Sequence, residues 1–257
     1  MLVCAVDHEL LVSCEGAASR RVVDLFGRVQ PDLPVPNSKW NAHDVAAHLV
    51  SMAGRYLNAD RKLARTQREL EEMNDREIAE FETATMGELI GRLRSRNAKY
   101  NVFWPEQALD TMFPYRDGFP LDAATLRSNW VTELMVHGRD VAVAAGEQWP
   151  LDDTSCLLTL RVLAQVLPRY IHPAGAADYT LVVAPAGGTP FSVVIKDDTA
   201  QIEPSAIADA DQLSGSPEAL VLLFYGRIGL AEAQQMGAYL HGDATRIEQL
   251  LNRLDKP

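Results

Sequence analysis

The sequence predicts two domains of different class, a helical N-terminal domain and a smaller α+β domain at the C-terminal end. The prediction depends on a change in the spacing of apolar residues near residue 175. Before that point they recur every three or four positions, and after it they form short β-branched and aromatic runs. A chain of 257 residues is also long enough for one core to divide into two. We predict a helical domain over 1–172 and an α+β domain over 173–257.

The N-terminal domain contains four amphipathic segments with modest connections. Pro31 ends the first, Asn41 can cap the second, and Asp122 can cap the fourth, which Gly146 ends. Four such helices predict an up-and-down four-helix bundle. We predict helices over 11–29, 41–74, a segment containing 89–100, and 122–146, with one further helix over 153–168.

The C-terminal domain is predicted from alternating and β-branched runs. Residues 179–184 and 191–196 indicate two strands joined by a Pro- and Gly-containing turn. Residues 200–203 indicate a third strand, and helices are predicted over 217–225 and 244–254. These elements predict a small α+β domain.

Charge and hydropathy exclude several classes of protein. The formal net charge of −11 argues against nucleic acid as a partner, because such binding requires clustered Lys and Arg. No apolar run is long enough to span a membrane, and the acidic start lacks the basic region of a secretory signal. Cys4, Cys14 and Cys156 have no close pairing and suggest buried thiols. We expect a cytoplasmic protein.

The predicted fourth helix carries the most distinctive chemistry. One apolar face contains residues spaced by four, three, four and four positions, namely Leu126, Trp130, Glu133, His137 and Val141. Glu133 and His137 should therefore point into the bundle, and an ionised carboxylate there is costly unless it is paired or binds a cation. On the second helix, His48 lies on the inward face as well.

Two histidines and one glutamate are a common ligand set for a catalytic zinc ion, which keeps a further position open. The spacing of Glu133 and His137 allows both side chains to reach one ion. The spacing alone leaves two other interpretations open, a hydrogen-bonded core histidine at His48 and a local ion pair between Glu133 and His137.

Two segments of the helical domain resemble a known family. Residues 40–50, WNAHDVAAHLV, and 130–141, WVTELMVHGRDV, resemble the paired signature of the mycothiol-dependent maleylpyruvate isomerases, whose N-terminal domain is a DinB-like bundle. Residues 213–227, LSGSPEALVLLFYGR, resemble the end of that family's C-terminal domain, which is similar to sterol carrier protein 2. The charged segment of about residues 60–110 matches nothing that we recognise.

The resemblance implies a metal centre and a thiol cofactor. His48, Glu133 and His137 match the family's metal ligands, and Arg227 matches an arginine of the small domain that would orient a substrate carboxylate. The implied cofactors are a divalent ion, expected to be zinc, and mycothiol or a related low-molecular-weight thiol. Two positions depart from the pattern: Asn41 replaces the usual Thr or Ser after Trp40, and His43 is atypical.

The implied substrate is a small-molecule electrophile or an unsaturated diacid. In an isomerase the thiolate adds to a conjugated double bond, permits rotation and leaves, whereas in a transferase it remains on the product. Two alternatives belong to other classes. A zinc hydrolase would use metal-bound water with Asp44 or Asp140 as the base, and a lipid or small-molecule carrier would keep only a vestigial metal site.

Overall fold

The computed structural model describes residues 3–36, 38–58 and 63–255. They divide into two units, one formed by Val6–Pro150 and the other by Leu151–Pro257 with the segment Met1–Ala5. The first is mostly helical and the second contains a sheet, so the predicted fold class is confirmed. The sequence placed the boundary between residues 172 and 173, whereas this division precedes the helix that follows Pro150.

The helical unit contains five helices among its described residues, α1 (His8–Phe26), α2 (Ala42–Tyr56), α3 (Gln67–Ala79), α4 (Met86–Phe103) and α5 (Ala123–Ala144). Helix α1 packs against α4 and α5, and α2 packs against α3, α4 and α5. The inward faces of α1, α2, α4 and α5 are apolar and buried, as their spacing predicts. Buried apolar residues from these four helices therefore form the bundle core.

The charged segment after α2 differs from the prediction of one long second helix over 41–74. Helix α2 ends at Tyr56, and α3 begins after Thr66, whose side chain accepts a hydrogen bond from the Glu69 amide. The Thr66-x-x-Glu69 pattern is a start signal for a new helix, and it favours a break over continuation. None of the described residues of α3 is fully buried, which explains its weak apolar pattern.

The connection between α4 and α5 contains a small hairpin that the sequence analysis did not predict. Strands β1 (Met112–Pro114) and β2 (Pro120–Asp122) pair antiparallel. Each has three residues, too few for an alternating pattern to be recognised.

The second unit contains a five-stranded sheet and four helices among its described residues. In chain order these are α6 (Asp153–Val166), β3 (Tyr179–Pro185), β4 (Phe191–Lys196), β5 (Thr199–Glu203), β6 (Asp211–Gly215), α7 (Pro217–Phe224), α8 (Leu230–Gln235), β7 (Ala238–His241) and α9 (Ala244–Leu251). The strand order is β5-β4-β3-β6-β7, with β3 and β6 parallel and all other neighbours antiparallel. Helix α6 packs on α7.

The N-terminal segment joins this second unit. The amide of Thr189 donates a hydrogen bond of 2.6 Å to the carbonyl of Val3, which is buried and has a positive φ of 63°.

Among the helices of the described ranges, none combines the length and the apolar character needed to cross a membrane.

Candidate metal centre

The loop before α2 and the start of that helix position the first histidine. Asn41 accepts a hydrogen bond from the Asp44 amide, and the Asp44 carboxylate accepts one from the Asn41 amide, which completes a capping box. The cap fixes where the helix begins, so His48 lies two turns along on the buried face, with 4% exposure. The amides of Ala42 and His43 also donate to the carbonyls of Leu33 and Pro31.

Helix α5 positions the glutamate and the second histidine. Asp122 caps it by accepting from the Thr125 amide, and the helix ends just before Gly146, which has a positive φ of 72°. A Cβ atom on Gly138 would lie 2.9 Å from side-chain atoms of both Trp149 and Val22, so this helix lies close to α1 directly after His137.

The three predicted ligands lie together. Glu133 Oε2 is 3.4 Å from His48 Nε2 and 3.3 Å from His137 Nε2. The donor atoms of the three side chains all lie within 4.8 Å of one another, and the described residues contain no second His, Cys, Asp or Glu group of this kind. The spacing of 85 residues between His48 and Glu133 makes this a tertiary arrangement, since α2 and α5 must pack for it to form.

The electrostatics favour the protonation states that bind metal. Burial alone would raise the pKa of Glu133, but hydrogen bonds to His137 and His48 lower it well below the ordinary value. Burial lowers the pKa of His48 and outweighs the opposing effect of Glu133. The carboxylate is therefore charged and the His48 imidazole neutral at neutral pH, which are the forms that coordinate an ion.

The donor set suits a divalent metal. Two imidazole nitrogens and one carboxylate oxygen are ligands that zinc and related ions accept. The contacts that both of the open interpretations require are present, because Glu133 Oε2 is 3.3 Å from His137 Nε2 and 3.4 Å from His48 Nε2. Neither accounts for His48 Nδ1, which is buried and has no hydrogen-bond partner among the described residues.

Arg227 lies in the second unit, after α7. Its Nη1 donates a hydrogen bond of 2.6 Å to the carbonyl of Tyr225, and the residue is half-buried. Its role toward a substrate carboxylate stays a prediction.

The remaining histidines and cysteines lie outside the cluster. His43 Nε2 is 2.7 Å from the carbonyl of Ala84, and His172 Nε2 is 2.7 Å from the Asp255 carboxylate. His241 is exposed. Burial raises the pKa of the Cys156 thiol, which makes it a poor nucleophile at neutral pH.

Two features of the helical unit were not predicted, the position of the Trp40 ring and the ion pair of Glu15 and Arg127. The ring of Trp40 lies against both histidines of the cluster, although only its place in a motif had been noted. Arg127 forms two hydrogen bonds, of 2.8 and 2.7 Å, with the buried Glu15 carboxylate. The sequence does indicate the buried pair, since Glu15 lies four residues after Leu11 and so places a charged side chain on the apolar face of α1.

A comparison with protein families finds a match over much of the helical unit. The family model described as the mycothiol maleylpyruvate isomerase N-terminal domain matches residues 12–142, just over half of the chain. Those residues include all three clustered side chains. A sequence comparison with curated proteins finds no significant match.

Solved structures share the fold over nearly the whole chain. A crystal structure of the mycothiol-dependent maleylpyruvate isomerase has a TM-score of 0.60 and 16% identity, covering 91% of this chain and 93% of that one. A histidine-to-alanine mutant of the isomerase gives a TM-score of 0.56 and 15% identity over the same shares. By the family match and the shared fold, this chain belongs to the mycothiol maleylpyruvate isomerase family.

Proposed function

We propose that this protein is a metal- and mycothiol-dependent enzyme that converts a small unsaturated diacid into its trans isomer. The observation that carries the proposal is the convergence of His48, Glu133 and His137, from two separate helices, on one point of the bundle. Family membership supports the thiol and the class of reaction. A thiol S-transferase that uses the same centre is the nearest variant of this function.

The three side chains would hold the ion, and we propose zinc. A bound divalent ion supplies Lewis acidity, which lowers the pKa of a thiol so that it ionises at neutral pH. Glu133 contributes a negative charge, and His48 contributes a neutral imidazole nitrogen. His48 is almost fully buried, whereas Glu133 and His137 are about one-fifth exposed, so the cluster is accessible from one side.

No cysteine belongs to the cluster in the described part of the chain. Cys156 is buried and its pKa is raised. An external thiol would therefore have to supply the sulfur, which agrees with mycothiol dependence. We propose that Arg227 orients a substrate carboxylate through its two-nitrogen fork, and that the protein works in the reducing cytoplasm, where such a thiol stays reduced.

The experiment combines metal analysis with an activity assay. The purified protein should contain one divalent ion per chain and should isomerise maleylpyruvate only when mycothiol is added. An isomerase consumes no thiol, whereas a transferase consumes one thiol per product, so a thiol assay on the same samples separates the two. Turnover without any thiol would contradict the proposal and would favour a hydrolase.

His137→Ala tests the assignment of the metal ligands. Loss of one of three ligands should lower the affinity for zinc by orders of magnitude, because protein zinc sites bind with about 10 kcal/mol or more shared among few ligands. His172→Ala is the comparison, since that histidine is exposed and lies in the second unit. A His137→Ala protein that keeps a full equivalent of metal would show that the assignment is wrong.

A further inference from the structure

The indole of Trp40 lies against both histidines of the metal centre. Its ring centroid is 4.8 Å from that of His48 and 6.0 Å from that of His137, with interplanar angles of 36° and 42°. The two imidazoles are 5.0 Å apart and meet edge to face, at 74°. One indole thus contacts ligands from two different helices.

His48 lacks the usual support of a metal-binding histidine. Such a residue normally donates its second ring N–H to a carboxylate or carbonyl oxygen, which fixes the ring rotation and the tautomer. The Nδ1 atom of His48 is buried and finds no hydrogen-bond partner in the part of the chain that the structure describes. The orientation of this imidazole must therefore be set by packing.

The backbone on both sides of Trp40 is held firmly. The carbonyl of Trp40 accepts a hydrogen bond of 3.1 Å from the Val35 amide, and its own amide donates to Ser38 Oγ at 3.1 Å. The capping box of Asn41 and Asp44 follows directly. Trp40 is therefore attached to the start of the same helix that carries His48, and its ring is pre-positioned relative to that histidine.

We infer that Trp40 is a positioning residue of the metal centre. Its indole packs against the imidazoles of His48 and His137 and holds them in the rotation that brings both Nε2 atoms toward Glu133, a restraint that a hydrogen bond at His48 Nδ1 would otherwise provide. The inference rests on the proposed function, because it requires that these histidines bind an ion. It adds a residue that does not itself coordinate metal but sets the metal affinity.

The test is a titration of the full-length, metal-stripped protein with Co²⁺ alone, in competition with a chelator. Trp40→Leu removes the flat ring and should weaken Co²⁺ binding by about 10- to 100-fold, the usual loss when support of a ligand is removed. Trp40→Phe keeps an aromatic face and should bind within about threefold of the wild type. Leu93→Ala is the control for lost packing, since Leu93 is buried on α4, a helix that carries none of the three clustered side chains.

A second measurement reports coordination geometry rather than stability. At saturating Co²⁺, the visible absorption of the bound ion depends on how its ligands are arranged. The spectrum of Trp40→Leu should differ from that of the wild type, whereas Trp40→Phe and Leu93→Ala should keep the wild-type spectrum. A residue that only stabilised the fold would leave the saturated spectrum unchanged.

The outcomes separate this inference from the proposed function. Wild-type protein that binds no Co²⁺ would overturn the metal centre and this inference with it. Wild-type affinity and spectrum in Trp40→Leu would overturn the inference alone. An equal loss of affinity in Trp40→Phe or in Leu93→Ala would overturn it as well, because the effect would then not depend on an aromatic ring at the cluster.

Discussion

Two glutamates of the helical unit differ in the partners that surround their carboxylates. Glu133 contacts His48 and His137 and forms no ion pair with an Arg or Lys of the described residues. Glu15, in contrast, is paired through both oxygens with Arg127, and both side chains are almost completely buried. An enclosed charge without a full partner is costly, which supports the proposed role of Glu133 as a metal ligand, whereas the full pairing of Glu15 suits a structural ion pair.

Substitution of Glu133 distinguishes a metal ligand from a tolerated buried acid. Glu133→Gln keeps the shape and removes the charge, and an amide binds zinc poorly. The variant should lose its metal and its thiol-dependent turnover, while the metal-free protein should be as stable as the metal-free wild type or more so. Metal content and melting temperature, each measured with and without a chelator, test this. A variant that retains metal and turnover would reduce Glu133 to a structural carboxylate.

The pair of Glu15 and Arg127 should respond differently to single and double substitution. Arg127→Met leaves a buried carboxylate unpaired and should cost about 3–5 kcal/mol of unfolding free energy. The double variant Arg127→Met with Glu15→Leu should recover most of that loss, because neither charge remains buried. Denaturant unfolding of these two variants, of Glu15→Leu and of the wild type gives the coupling energy.

The exposed pair of Arg28 and Glu147 is the matched control. It has the same two-nitrogen geometry, with contacts of 3.0 and 2.6 Å, but its side chains are 48% and 35% exposed. Arg28→Met should therefore change stability by less than about 1 kcal/mol. A similar loss for both arginines would contradict the role assigned to burial.

At the scale of elements, a helix or strand could be predicted from the sequence when it was long or began at a clear capping residue. Helices α2 and α5 begin where the caps Asn41 and Asp122 predict, whereas α1 begins at His8, three residues before its predicted start at Leu11. Strands β6 and β7 and helix α8 were missed, since each has four to six residues and strand β6 has only Leu213 fully buried. Their structure depends on neighbours in the sheet rather than on local sequence.

Part of the proposed ligand set could also be predicted from the regular geometry of a helix. Glu133 and His137 share one helix face, so their proximity follows from helical geometry. The contact with His48 depends on how α2 packs against α5, and the sequence alone predicts it only through the family resemblance. The indole of Trp40 comes from a loop, where no periodic pattern indicates which way a side chain points.

Gly215 shows how one element depends on a missing side chain. It ends β6 with a φ of +107°, and a Cβ atom there would lie 2.2 Å from the carbonyl oxygen of Gly237. Gly215→Ala should lower stability by about 2 kcal/mol or more, since both the backbone angle and the contact are unfavourable. Thermal unfolding checks this, and metal affinity should not change because the ligands belong to the helical unit.

Gly91→Ala is the opposite control. Gly91 is exposed within α4, and a Cβ atom there would meet no heavy atom within 4 Å. The substitution should raise stability by up to about 1 kcal/mol, because alanine favours a helix. If both variants melted at the wild-type temperature, the predicted clash between a side chain at position 215 and the Gly237 carbonyl would be wrong.

At the scale of the whole molecule, all three ligands belong to one uninterrupted stretch of chain. Val6–Pro150 contains α1–α5, their shared core and the complete cluster. Arg227 lies in the other unit. The division predicts that metal binding and substrate orientation can be separated by cutting the chain.

A fragment of residues 6–150 should fold and bind one Co²⁺ with an affinity close to that of the full chain. It should have no isomerase activity, because it lacks the proposed carboxylate-binding arginine. Circular dichroism and Co²⁺ titration of the fragment test the first statement, and Arg227→Ala in the full chain tests the second. A folded fragment that binds no Co²⁺ would mean that the second unit contributes to the metal centre.

The hydrogen bond between Val3 and Thr189 has a consequence for synthesis of the chain on the ribosome. Val3 is synthesised before the helical unit, whereas its partner Thr189 is synthesised only after that unit. Domains tend to fold as they emerge, so the helical unit can complete its core before Val3 finds its hydrogen-bond partner in the second unit. A bulky group fused before Val3 should therefore disturb the last step of folding and leave the first one intact.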